Sequence, residues 1–183
     1  VKPAGKVTEQ INLMYAGVLI EKKGVQHIIK AVAELKRMGI RAHLSIVGEG
    51  DYREELVKLI AQLGLQGSIV CRAPLAREML LRGLTEADIC LLISRSESYA
   101  IFVAEALAAG TPCIVSRTTA LDEFLVEPGC FGIDYPPEPV ALAEMIIEIH
   151  KNELKVGPFS GRIRLWSDVA EDYEVIYKEA VTN

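Results

Sequence analysis

The chain predicts a doubly wound parallel α/β sheet of about six strands with helices on both faces. Three observations carry this. Strand-like and helix-like segments alternate from end to end. The strand-like segments are short, apolar and non-alternating, as expected where both faces are covered. The 183 residues, 50% hydrophobic and 25% charged, suffice for one well-cored domain.

Ile11–Ala16 is a short apolar run closed by Gly17, a first strand. From Val25 the period changes. Val25, Ile28, Ile29, Val32 and Leu35 recur at three and four, the stripe of an amphipathic helix ending at Gly39. Ala42–Val47 is the next strand, with Gly48-Glu49-Gly50 as its exit. Asp51 is the expected cap of a helix carrying Leu56, Leu59, Ile60 and Leu63 and stopped by Gly64. Ile69–Arg72 reads as a third strand, Leu75–Leu84 as a helix and Asp88–Ile93 as a fourth strand. A helix around Glu105 and a fifth strand, Pro112–Ser116, come next. A short helix near Asp122–Val126 leads to a brief strand at Phe131–Asp134. Pro136-Pro137-Glu138-Pro139 opens a long helix, Val140–Asn152. Lys155–Arg164 is a loop, and a last helix runs from about Ser167 to Ala180.

The net charge of -5 argues against a general nucleic-acid surface. Cys71, Cys90, Cys113 and Cys130 are widely spaced, as for reduced core thiols in a cytoplasmic protein. No apolar run reaches the ~18 residues of a membrane span. No Asp-x-Asp or His/Asp cluster suggests a metal. Residues 1–10 read as a linker, the expectation being a domain cut from something longer.

Sheets of this class bind ligands outside the C-terminal ends of their strands, and three strand exits stand out. In Gly17-Val18-Leu19-Ile20-Glu21-Lys22-Lys23-Gly24, Lys23 places a cation beside a helix N-terminus. That opposes the helix dipole unless an anion is bound nearby. Gly48-Glu49-Gly50 reads foremost as a turn. No G-x-G-x-x-G follows the first strand, against a standard dinucleotide site. The third exit, Ser94 to Ala100, runs five polar residues straight into the helix at Ile101, whose free N–H groups suit a diphosphate. Glu105 is the single charged residue between Tyr99 and Gly110. A carboxylate in so apolar a run must be paired, face a cleft or be used. With Glu97 it suits a polyhydroxylated ligand; surface acids near a helix start are the alternative. His27, on the first turn of its helix, is expected to be exposed.

These pieces together resemble the C-terminal, nucleotide-sugar-binding domain of the retaining GT-B glycosyltransferases of family 4 (group 1). The family pattern is a strand, Gly-Arg-Leu, Lys-Gly and a helix. A Val-Gly-x-Gly turn, a strand ending in Ser, and Glu-x7-Glu leading to Glu-Ala-x-Ala-x-Gly-x-Pro follow. Here they read Tyr15-Ala16-Gly17-Val18-Leu19, Lys23-Gly24, Val47-Gly48-Glu49-Gly50, Leu92-Ile93-Ser94, Glu97 with Glu105, and Glu105-Ala106-Leu107-Ala108-Ala109-Gly110-Thr111-Pro112. The match extends from about Ile11 to Trp166 and beyond, and order and spacing make it specific.

The resemblance implies a Rossmann-like domain at 11–165, one half of a GT-B fold, with a C-terminal helix at 166–183 returning towards a missing N-terminal acceptor-binding domain. It implies donor binding by Gly17, Lys23, Glu97, Ser98, Tyr99, Ala100, Ile101 and Glu105. Lys23 would meet the diphosphate, Glu97 the sugar hydroxyls and Glu105 the ribose. The amides of Tyr99, Ala100 and Ile101 would cradle the distal phosphate, and Arg72, Ala73 and Leu75 would lie beside the base. Lys23 and Glu97 would carry the chemistry, without metal or cofactor. Glu123 matches a further family position loosely. Two departures stand out. Val18 replaces the usual arginine, and Ser98 and Ala100 carry β-carbons where the family has glycines able to take positive φ. They leave a non-catalytic binding or scaffolding domain of the same fold as the alternative. A phosphoacceptor domain is disfavoured, because Met14–Leu19 holds no acid. The isolated domain should bind nucleotide and transfer nothing, and peripheral membrane association through the missing domain stays open.

Overall fold

The computed structural model describes residues 10–154, 156, 157 and 166–182. Residues 1–9 of the expected linker and most of the loop at 155–164 lie outside the described residues. The strands are β1 (Gln10–Ala16), β2 (Arg41–Val47), β3 (Ile69–Arg72), β4 (Ile89–Leu92), β5 (Cys113–Ser116) and β6 (Cys130–Ile133). All run parallel in one six-stranded sheet of order β3-β2-β1-β4-β5-β6. The helices are α1 (Val25–Arg37), α2 (Arg53–Gln62), α3 (Arg77–Glu86), α4 (Ile101–Ala108), α5 (Pro139–Lys151) and α6 (Trp166–Thr182). Two 3-10 segments, Glu21–Lys23 and Thr119–Val126, complete the described elements.

The strand order reverses after β1. Right-handed crossovers therefore place α1 and α2 on one face and α3 and α4 on the other, and α1 packs on α2 and α5 while α3 packs on α4. The stripe read in the sequence is the buried face of α1. Ile28, Ile29 and Leu35 are fully buried, each contributing roughly 1.5–3 kcal/mol by leaving water. β1 pairs with β2 along its whole length, from Gln10–Arg41 to Ala16–Val47. Its ladder with β4 holds Leu13–Ile89 and Met14–Cys90 and goes no further. Beyond that point the two central strands part, which opens the crevice typical of a switch point.

Several sequence expectations shift. Gln10 belongs to β1 rather than to a linker. α3 starts at Arg77, not Leu75: Pro74 disfavours a helical Ala73, and Ala76 still has an extended ψ of 146° as N-cap. Asp51 does not cap α2. The N-cap is Tyr52, with no side-chain cap, because the Tyr52 N–H donates to the Leu19 carbonyl at 3.0 Å and draws Asp51-Tyr52 into a turn. The strand expected at Phe131–Asp134 begins at Cys130. β2 is not evenly apolar. Leu44 and Ile46 are buried towards α1, whereas His43 and Ser45 line a groove of about 510 Å³ with Asn12, Arg72 and Met79. On that side α3 packs on β1, so the half over β2 and β3 stays open.

The four cysteines are free thiols. Cys90, Cys113 and Cys130 stand at adjacent register positions on β4, β5 and β6. Burial raises the Cys71 and Cys113 thiols above their ordinary range, and burial followed by the Glu127 charge pushes Cys130 up to about 12. Cys90, Cys113 and Cys130 are buried in the core, and Cys71 is half-buried against it.

Candidate functional site: the crevice between the first and fourth strands

The first wall is the exit of β1. Tyr15 is fully buried, and its hydroxyl donates to the Val18 carbonyl at 3.0 Å. Burial, and secondarily the Glu97 carboxylate, hold its phenol above the ordinary range. The exits of β1 and β2 meet backbone to backbone: the Gly17 N–H donates to Val47 O at 3.0 Å and the Leu19 N–H to Glu49 O at 2.8 Å. A β-carbon on Gly48, at φ +149°, would strike the Gly17 carbonyl. The Gly48-Glu49-Gly50 segment is thus a turn, and its first glycine permits the two loops to touch.

The 3-10 turn Glu21–Lys23 ends on Gly24, whose φ is +68°. A β-carbon there would collide with the Ile93 carbonyl at the end of β4. The Arg95 N–H donates to the Lys22 carbonyl at 2.8 Å. Gly24 is therefore what allows Lys23 to be delivered against the exit of β4.

The second wall is the loop from Ser94 to Ala100. Ser94 is fully buried, with Oγ at 3.2 Å from the Lys22 carbonyl and 3.0 Å from that of Ser96. Its own carbonyl accepts from Thr118 Oγ1 at 2.9 Å and from the Ser116 hydroxyl. The Glu97 N–H donates to Thr119 Oγ1 at 2.9 Å, and Thr119 sits at φ +43°. So pinned, Glu97 places both carboxylate oxygens 2.6 Å from Lys23 Nζ. The side chains are 8% and 20% exposed. The anion expected beside Lys23 is here the Glu97 carboxylate itself.

α4 opens at Ala100, which adopts φ +68°, ψ +59°. The left-handed conformation foreseen for this loop falls at Ala100, whereas Ser98 does not take positive φ. A non-glycine there costs roughly 1–2 kcal/mol. Among the described residues, the amides of Tyr99, Ala100, Ile101 and Phe102 meet no backbone acceptor, so the start of α4 offers free donors. Tyr99 and Ile101 form an exposed rim, with the Tyr99 ring edge-on to Phe124 at 6.1 Å.

Glu105 lies one turn further in, and its Oε1 accepts from Arg77 Nη1 at 2.7 Å. Glu105 is 15% exposed and Arg77 74%. The segment expected beside a base runs to the same place: Arg72 closes β3, Ala73 borders the Gly50-Asp51 turn, Leu75 packs on the core, and Arg77 reaches α4. The crevice thus gathers Lys23, Glu97, the α4 amides and Glu105. Gly17 stands at the exit of β1 with its N–H already committed to Val47.

Arg77, Tyr15 and Thr119 escaped the sequence reading. Arg77 had a legible signal, as a cation in the first turn of the helix read from Leu75, where the dipole disfavours it. Thr119 had none, because its role depends on how Thr119–Val126 folds back. His27 is half-buried rather than exposed, edge-on to Tyr135 at 5.5 Å; burial, then Lys30, lower its pKa. No group of metal-ligating side chains occurs among the described residues, and no described helix is long and apolar enough to cross a membrane.

Comparison with known proteins agrees with this architecture. The model of the family described as glycosyl transferases group 1 matches residues 2–162. An alpha-D-kanosaminyltransferase of Streptomyces kanamyceticus is 30% identical over 125 residues, 68% of this chain and 32% of that protein. A GDP-mannose-dependent alpha-(1-6)-phosphatidylinositol dimannoside mannosyltransferase of Mycobacterium tuberculosis is 35% identical over 136 residues, 73% of this chain and 34% of that one. The chain spans about a third of the length of these curated relatives. The crystal structure of Anabaena Alr3699/HepE in complex with UDP-glucose superposes with a TM-score of 0.71 at 21% identity, covering 80% of this chain and 41% of that one. With a family model matched over most of its length, the chain belongs to the glycosyl transferases group 1 family.

Proposed function

We propose that the chain is the C-terminal, donor-binding domain of a retaining, metal-independent family 4 glycosyltransferase. Its domain spans 11–165 and its acceptor would be held by an N-terminal domain of the same cytoplasmic polypeptide. The observation that carries the reading is the convergence, at the switch point, of Lys23, Glu97, the free amides of Tyr99–Phe102 and Glu105. A nucleotide diphosphate-sugar presents matching chemistry: an anion for the cation and amides, and hydroxyls for the two carboxylates.

In this reading the diphosphate draws Lys23 Nζ away from Glu97, which then accepts hydrogen bonds from the donor sugar. As the diphosphate leaves, Lys23 and the α4 amides offset its growing charge. Glu105 takes the ribose, and the Arg72–Leu75 segment lies beside the base. Val18 supplies no second cation, so the amides carry more of the load than the family pattern implies. Titration calorimetry with UDP-, GDP- and ADP-sugars tests this. One of the three should bind, and Glu97→Ala should weaken the nucleotide-sugar more than the bare nucleotide. Silence with all three would overturn the proposal.

The strained Ala100 and the uncharged Val18 favour a second reading, a binding domain that performs no transfer. A protein carrying this domain with its acceptor-binding partner decides between the two. Nucleotide binding without sugar transfer would select the second.

A further inference from the structure

Arg77 stands at the first position of α3, where a cation opposes the helix dipole. What offsets it is a carboxylate on another helix: Nη1 lies 2.7 Å from Glu105 Oε1. Glu105 is mostly buried, whereas Arg77 is 74% exposed. The pair therefore adds little to stability, yet it fixes the rotamer of the one carboxylate in an otherwise apolar helix. A single oxygen is taken, and Oε2 has no partner in this pair. Arg77 also joins the segment that ends β3 to the site, because the residues from Arg72 to Arg77 run from the sheet edge to Glu105.

We infer that Arg77 is the positioning residue for ribose recognition: it holds Oε1 of Glu105 so that Oε2 is presented to the ribose hydroxyls of a nucleoside diphosphate. The inference rests on the donor-binding reading above. Pre-orienting an acceptor raises affinity by removing the ordering cost at binding. Arg77 does not itself touch the ligand in this scheme; its effect passes through Glu105. A direct contact with the diphosphate would instead be a plain charge effect, felt equally by nucleotides with and without ribose hydroxyls.

That difference gives the test. The 183-residue chain is titrated with UDP, GDP and ADP, and the best binder is compared with its 2′,3′-dideoxy counterpart. The parent should favour the ribose form by roughly tenfold, as for a hydrogen bond to a charged acceptor. Arg77→Ala should reduce that preference to about twofold through loss of ribonucleotide affinity, with dideoxynucleotide affinity little changed. Arg77→Lys should recover part of the preference, and Glu105→Gln should abolish most of it. An unaltered ribose preference in Arg77→Ala overturns the inference while leaving donor binding intact, as does an equal loss for both nucleotides. A parent that binds none of the three nucleotides removes donor binding itself, and the inference with it.

Discussion

Glu97 and Glu105 lie eight positions apart, and each is held by a cation from a distant part of the chain, yet in opposite ways. Glu97 is 8% exposed and meets Lys23 through both oxygens at 2.6 Å, inside a frame of hydroxyl-to-backbone hydrogen bonds: Thr118 Oγ1 donates to the Ser94 carbonyl, and Thr119 Oγ1 accepts from the Glu97 N–H. Glu105 is 15% exposed and meets, through one oxygen, an arginine that is 74% in solvent. Desolvation makes the first pair costly to break, because the survivor is left uncompensated in a poor dielectric. Water screens the second, so its worth lies in orientation rather than in stability. The site thus has one rigid end and one adjustable end.

The largest expected effect is on the rigid end. Gly24→Ala forces a β-carbon into the Ile93 carbonyl at positive φ and should cost more than about 3 kcal/mol by chemical denaturation. A loss below about 1 kcal/mol would mean that the β4 exit yields, and that the end is not rigid. Next, Lys23→Met should destabilise by about 2 kcal/mol, and adding Glu97→Gln should return about half of the loss. Additive losses in this double-mutant cycle would show the two residues to be independent. Ala100→Gly, between the two ends, should stabilise by about 1 kcal/mol by relieving left-handed strain, read from the denaturation midpoint. Smallest is Arg77→Ala, within about 0.5 kcal/mol of the parent; about 1 M salt should erase even that while leaving the Lys23 effect in place. A salt response of equal size at both ends would dissolve the contrast.

Much of the fold was legible, and for reasons that particular segments show. The stripe from Val25 to Leu35 fixes α1, and Gly17 and Gly48 mark the exits of β1 and β2, without reference to anything distant. The errors came where a distant group competes with a local signal. Asp51 is a good cap by type, but the Leu19 carbonyl claims the next amide. His43 and Ser45 alternate along β2 because the sheet face they line is partly open, which no local pattern announces.

The site divides along the same line. Apolar runs in the sequence already put Lys23, Glu97 and the α4 start at strand exits, and the lone acid Glu105 in the apolar α4 demands a partner. Which partners they take follows from how the elements pack. Lys23 finds Glu97 because Gly24 lets two loops close. Glu105 finds Arg77 because α3 and α4 pack on the same face of the sheet. Pairing between charges far apart in the chain depends on the relative placement of packed elements, and no local propensity encodes that.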